Sequence, residues 1–240
     1  MRLLAWNILH GGGPRIPRIV EEISAHDPDV IALTGFRSDP RLSLRSDLRE
    51  RGWVYVETSN PPEKINGIAV FSRMPLRRAP SPAPSGHSFR WLDVHLPDDD
   101  IGLGVLQIMA AVGSLKGPAA VAKRQFWDAV LASAEARPDS PFLFTGMWNT
   151  GLHGIDEKGK TYVCADHFAR LSALGWTDLW RHFHPGVTEW TWYSPQKNGF
   201  RVDHAFASPA LLGRVRACRY SHVEREARIS DHSLMLVEIE

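Results

Sequence analysis

Four short polar segments carry the residue types from which a catalytic or anion-binding site can be assembled: Trp6-Asn7, Gly146-Met147-Trp148-Asn149, Arg201-Val202-Asp203-His204 and Ser230-Asp231-His232. An imidazole oriented by a carboxylate suits proton abstraction near neutral pH, so the Asp and His of the last two segments are candidates for general-base work. Each segment alone is weak, since a His beside an Asp is more often a hydrogen-bonded surface pair. Taken together they are more specific, because each lies at the end of a strand-like apolar run. Residues at strand ends converge on one rim of a sheet, where sites are built.

The elements that must position these residues alternate. Leu3 to Trp6 is a short apolar run, and Ile16, Ile19, Val20 and Ile23 fall on one helical face. Asp27-Pro28 ends that helix, and Val30 to Leu33 reads as a buried strand. Trp53 to Glu57 and Gly67 to Ser72 are candidate strands, followed by a loop from Pro80 to Ser85. Phe89 to Leu96 and Gly102 to Met109 flank Pro97-Asp98-Asp99-Asp100 as an antiparallel hairpin. Gly117-Pro118 opens a long helix with Trp127, Val130, Leu131 and Ala134 on one face. Pro141 to Thr145 is another buried strand, Cys164 to Leu174 a helix with Phe168 and Leu171 inward, and Val202 to Ala207 and Leu234 to Ile239 the closing strands. This order predicts an α/β chain with no internal repeat and no linker, a single domain over residues 1–240.

Composition excludes several classes. Hydrophobic residues are 43% and charged residues 23% of the 240, ordinary for a globular protein. The net charge of +1 supplies no global field for nucleic acid or an anionic membrane, so nucleic acid is disfavoured as a partner. Cys164 and Cys218 alone give no disulfide framework. The N-terminus lacks a signal-like apolar stretch, and no run approaches the roughly 18 apolar residues of a membrane span. The expectation is a cytoplasmic monomer with no membrane contact.

With Asn7 after the first strand, Arg201-Val202-Asp203 later, Ser230-Asp231-His232 before the last strand and Gly146-Met147-Trp148-Asn149 as a partial Gly-Asp-x-Asn, the chain resembles the endonuclease/exonuclease/phosphatase family. Asp29-Val30-Ile31-Ala32-Leu33 also resembles the family's second strand, so the likeness covers essentially the whole chain. It implies a DNase I-like four-layer α/β sandwich, two mixed sheets packed face to face with helices outside. It also implies hydrolysis of a phosphoester by water with Mg²⁺ or Mn²⁺, a hard cation held by oxygen donors. On that resemblance His232 pairs with Asp203, Asn7 and Asn149 hold phosphoryl oxygens, and Asp231 sits on the metal side.

The pattern breaks at two places. Where the family's second strand ends in a metal-binding Glu, this chain has Gly35, which has no side-chain oxygen. Where the Gly-Asp-x-Asn Asp contacts the nucleophilic water, this chain has Met147, whose thioether cannot replace a carboxylate at a Mg²⁺ site. The stretch Gln107-Ile108-Met109 departs as well. With Asn7, Asn149, Asp203, Asp231 and His232 retained, the changes read as a selective emptying of the metal site. Two functions follow. One is a scaffold, engineered for the purpose, whose apolar cleft lined by Gly35, Gln107, Met109, Met147 and Trp148 takes a small-molecule ligand or supports metal-independent catalysis by Asp203–His232. The alternative is a natural Mg²⁺-dependent phosphodiesterase, phosphatase or nuclease whose site has diverged. The first expects no cofactor and a weak or absent remnant metal site at Asp231. Trp190 and Trp192 are further candidates for the cleft wall, His95 on an alternating strand reads as structural in preference to cleft-facing, and His153, His182 and His184 lack zinc-ligand spacing.

Overall fold

A computed structural model describes residues 1–39, 43–111 and 117–240. The first third of the chain runs β1 (Arg2–Asn7), α1 (Ile16–His26), β2 (Val30–Phe36), α2 (Leu44–Glu50), β3 (Tyr55–Thr58), β4 (Gly67–Ser72) and β5 (Arg77–Ala79). The middle continues with β6 (Trp91–Leu96), β7 (Ile101–Gln107), α3 (Pro118–Glu135), β8 (Phe142–Met147), α4 (Ala165–Ala173) and β9 (Thr177–Asp178). The last third holds β10 (Trp192–Tyr193), β11 (Gly199–Phe200), β12 (Asp203–Ala207), β13 (Val215–Ser221) and β14 (Leu234–Ile239).

The strands form two mixed sheets, β13-β14-β1-β2-β4-β3 and β5-β6-β7-β8-β12-β9, with β10 and β11 as a separate small hairpin. Among the described strands only β1–β2 and β7–β8 pair in parallel. Each of those pairs is joined through a crossover helix, α1 or α3, as parallel pairing requires. The inner faces of both sheets bury Leu3, Val30, Ile68 and Val70 against Leu92, Leu103, Val105 and Leu143. The outer face of the first sheet packs on the apolar stripe of α1, Ile16, Ile19, Val20 and Ile23. That of the second packs on Phe126, Trp127, Val130 and Leu131 of α3 and Phe168 and Leu171 of α4. The result is helix, sheet, sheet, helix: the four layers that the family resemblance implies. The central strands β2 and β4 are buried on both faces, which is why they read as continuous apolar runs instead of alternating ones.

Two details differ from the sequence reading. Phe89 and Arg90 belong to a short 3₁₀ turn, and the strand begins at Trp91. Strand β13 carries no clean apolar alternation, because it is an edge strand with Arg216 and Arg219 facing solvent.

Candidate active site

The four polar segments do converge. From the first sheet come Asn7 at the end of β1, Gly35 in β2, and Ser230 to His232 immediately before β14. From the second come Gln107 at the end of β7, Met147 at the end of β8, and Asp203 at the start of β12. The pairing of Asp203 opposite Met147, and of Met147 opposite Gln107, brings three strand ends together. The next residue segment, Trp148-Asn149, turns sharply, with Asn149 in the left-handed region at φ 49°.

His232 Nδ1 lies 2.8 Å from an Asp203 carboxylate oxygen, and both residues are 5% exposed. Trp6 Nε1 donates to the His232 carbonyl at 3.1 Å, and Ser230 Oγ donates to the Asn7 carbonyl at 2.5 Å, so the two strand ends are tied to each other. Burial pulls the His232 imidazole down, but Asp203 and, less closely, Asp231 outweigh it and hold the ring above its ordinary 6.5. Its Nε2 makes no hydrogen bond among the described residues and is left for a ligand. Asp231 itself is exposed, and its carboxylate accepts from Trp192 Nε1 at 3.1 Å.

A raised pKa on a basic group stabilises the fold fully below the unfolded value of 6.5, and the contribution is lost as pH rises through the folded value. The stability difference between this chain and Asp203→Asn is therefore expected to be largest below pH 6.5 and to narrow in alkali. Urea denaturation of both proteins at either end of that range measures it; a difference that widens in alkali would contradict the pairing.

The positions that lack family carboxylates are filled by neutral contacts. Gly35 adopts φ +70° at an irregularity in the β2–β4 register, and its N–H donates to Gln107 Oε1 at 2.9 Å. A Cβ built on Gly35 would lie 2.6 Å from Asn7 Oδ1. Asn7 Oδ1 accepts from Leu9 N at 3.0 Å, and Asn7 Nδ2 donates to Met147 Sδ at 2.8 Å. Each of these two contacts, Gly35 to Gln107 and Asn7 to Met147, links one sheet to the other. Asn149 Nδ2 donates to the Ile108 carbonyl at 2.8 Å. One amide hydrogen on each Asn remains for an anion.

This donor set does not suit a hard dication. Asp203 is committed to His232, Asp231 stands alone at the rim, and the remaining neighbours are carboxamides, a glycine and a thioether. Among the described residues no three His, Cys, Asp or Glu side chains lie together in a metal-holding group.

Two features of the cleft correct the sequence reading. Trp148 is fully buried and does not line it; the indole packs among Trp127, Phe168 and Phe206 behind the second sheet, because the residue after a strand's last inward side chain points to the opposite face. The cleft is also less apolar than Met147 and Met109 suggested. Both do line it with Gln107 and Asn149, but so do Arg37, Lys64 and Arg90. A net charge of +1 averages over the whole surface and conceals such a local concentration. Trp190 packs over Gly199, while Trp192 reaches the site through Asp231.

One site-building residue escaped the sequence reading, and another was named there without its role. Lys123 is 1% exposed, and its ammonium donates to the Asn149 carbonyl at 2.5 Å, with burial bringing its pKa down to about 8. The signal was present: Lys123 lies four residues before Trp127 on the buried stripe of α3, where a charge needs a partner. Arg201 is fully buried and holds Asp156 and Asp178, so in the Arg-Val-Asp segment it supports Asp203 from behind and does not face the cleft. Tyr162 Oη donates to the Arg201 carbonyl at 3.0 Å, and Tyr220 Oη to the Asp203 carbonyl at 2.6 Å, which fixes the strand's start.

Comparison with known proteins agrees with this geometry. Residues 4–232 match the model of the Endonuclease/Exonuclease/phosphatase family. Two exodeoxyribonucleases of Streptococcus pneumoniae strains are 30% identical over 137 residues, 49% of this chain and 49% of theirs. The match therefore spans about half the length of these curated relatives. Among solved structures, a 3′-5′ exonuclease from Neisseria meningitidis superposes with TM-score 0.85 at 21% identity over the full length of both chains. A Neisseria 3′ phosphatase bound to a product DNA hairpin gives 0.86 at 21% identity, covering 100% of this chain and 99% of that one. An AP endonuclease from Archaeoglobus fulgidus gives 0.87 at 18%, with the same coverage. At these identities the superpositions speak to the fold.

Proposed function

The chain belongs to the endonuclease/exonuclease/phosphatase family, and on that footing we propose that it is a phosphoester-binding member in which dication-dependent hydrolysis has been lost. The observation that carries the reading is the closure at Gly35. The place a ligand side chain would start from is occupied by the Asn7 carboxamide, 2.6 Å from the built Cβ, and that carboxamide is in turn bonded to Met147. The anion-gripping part of the site persists: His232 held by Asp203 with its pKa raised, spare amide hydrogens on Asn7 and Asn149, and a basic cleft wall. Carboxamide N–H groups and a basic wall favour an anion without any contribution from a metal.

The experiment is thermal melting with and without millimolar Mg²⁺. A ligand at about a hundred times its dissociation constant adds about 2.7 kcal/mol to folding stability, a rise on the order of 5–10 °C for a domain of this size. Tm is expected to stay within about 1 °C. A rise of several degrees would show that a dication site survives and would overturn the proposal.

A second reading, catalysis without metal, is favoured by one observation: the Asp203–His232 pair is buried, aligned at 2.8 Å and leaves Nε2 open. An apolar-ligand scaffold emptied by design is the version of this reading that the basic wall supports least. Activity in the presence of chelator that disappears in His232→Ala would favour it over binding alone.

A further inference from the structure

We propose that the cleft contains a second anion subsite, built on Arg90, which takes a phosphate carried by the same ligand as the group gripped by Asn149. The inference rests on the phosphoester-binding reading and narrows its ligand to molecules with two phosphates on one small skeleton.

Arg90 is half-buried directly ahead of β6. Among the described residues its guanidinium makes one hydrogen bond, a long one from Nη1 to the Gln107 carbonyl at 3.3 Å, and it stands 5.3 Å from the Phe89 ring centroid. Its Nε is shut off from solvent and has no partner. Among the described residues no carboxylate pairs with it. Arg201 shows how this fold treats a buried guanidinium that is structural: Asp156 lies at 2.8 Å and Asp178 at 2.5 Å. A buried charge without a counter-ion costs stability, and such a charge beside a cleft is suited to an anionic ligand. The absence of compensation is felt nearby. Burial lowers the pKa of Arg90 itself, and burial together with the positive charge of Arg90 lowers that of His87.

Arg90 shares a cleft of about 430 Å³ with Met147 and Asn149, so this charge and the Asn149 end of the site face one volume. Lys64 and Arg37 line the same space. The carboxylate nearest Lys64 is that of its sequence neighbour Glu63 at 3.9 Å, with both side chains 78% exposed. Arg37 spends its Nε on the neutral Asn66 Oδ1 at 2.9 Å. The cleft size is in the range of small-molecule sites. A guanidinium with free N–H groups suits the paired oxygens of a phosphate better than an ammonium does.

Two sources present this chemistry, a nucleotide with phosphates on both sides of the sugar and a cyclitol bisphosphate. Calorimetric titration with thymidine 3′,5′-bisphosphate and the two thymidine monophosphates, then with inositol 1,4-bisphosphate and inositol 1-phosphate, separates them. At least one bisphosphate is expected to bind about tenfold or more tightly than its monophosphates, the return of one charge-assisted contact. The skeleton on which that advantage appears identifies the source. In Arg90→Gln the advantage should shrink to within about threefold, and in the exposed Lys64→Gln it should fall by about threefold. If Arg90→Gln does not fold, the Lys64→Gln ratio decides alone. Monophosphates that bind while bisphosphates bind no better, or an advantage that survives in the variants, overturns the subsite and leaves the phosphoester reading intact. No binding of any of the five ligands overturns both.

Discussion

The double substitution Gly35→Glu with Met147→Asp is expected to raise Mg²⁺-dependent cleavage of an activated phosphodiester by about 10³-fold, the several kcal/mol a correctly held cation contributes. The two changes are expected to work only together. Gly35→Glu alone places a side chain at φ +70° and drives its Cβ to 2.6 Å from Asn7 Oδ1 while Met147 still holds the other end of that carboxamide. Left-handed backbone costs a non-glycine residue about 1–2 kcal/mol, so the single variant should lose about that much stability and gain no activity. Met147→Asp frees Asn7 Nδ2 from the thioether and offers it a carboxylate, allowing the carboxamide to move aside. Steady-state hydrolysis and urea unfolding of the two singles and the double test this. Full activity in Gly35→Glu alone would mean that Met147 does not lock Asn7. An inactive but well-folded double would mean that the rest of the site has been rebuilt around a different purpose.

Arg201→Met should be the most damaging single change to the fold, costing about 3–5 kcal/mol, since removing one partner of a buried ion pair strands the others. Arg201 Nε donates to Asp156 at 2.8 Å, Nη1 to Asp178 at 3.1 Å and Nη2 to Asp178 at 2.5 Å. Arg181 adds a bond to Asp156 at 2.9 Å from the outer side. Burial, the largest single influence, pushes both carboxyls up, but the Arg201 charge, its hydrogen bonds and nearby His204 together outweigh it and hold Asp156 and Asp178 below their ordinary 3.8. Depressed carboxyls contribute stability that is present above pH 3.8 and lost as pH falls through their folded values. The native chain is thus expected to resist acid to below that pH, and Arg201→Met to unfold at distinctly higher pH. Circular dichroism along an acid titration reads both. Because Val202 and Asp203 follow directly, the variant should also loosen the Asp203–His232 pair.

Sequence made the layers legible because the outer helices and central strands obey simple periodicities: Ile16, Ile19, Val20 and Ile23 on one face, and uninterrupted apolar runs in β2 and β4. Site membership was legible where a polar residue ends such a run, as at Asn7, Asp203 and His232. Side-chain direction was not. Met147 and Trp148 are adjacent, and the alternation of a strand sends one to the cleft and the other to the core. Charges brought together from distant stretches were equally hidden. Arg37, Lys64 and Arg90 come from three separate loops, and a whole-chain charge of +1 carries no trace of their meeting. Arg201 belonged to a recognisable segment, but only its depth shows that it is structural.

The sheet borders bear on how the protein behaves when crowded with copies of itself. Three of the four outermost strands are too short to template much pairing: β3 with four residues, β5 with three and β9 with two. The fourth, β13, has seven, but Arg216 and Arg219 stand along it, joined to Glu240 and Glu238. Short or charged borders resist recruitment of a second backbone. The more exposed spot is the start of β3, where Val54 is 49% and Tyr55 40% accessible. Colloidal failure at high concentration would be expected to begin there, and a lysine at Val54 would be the economical way to delay it.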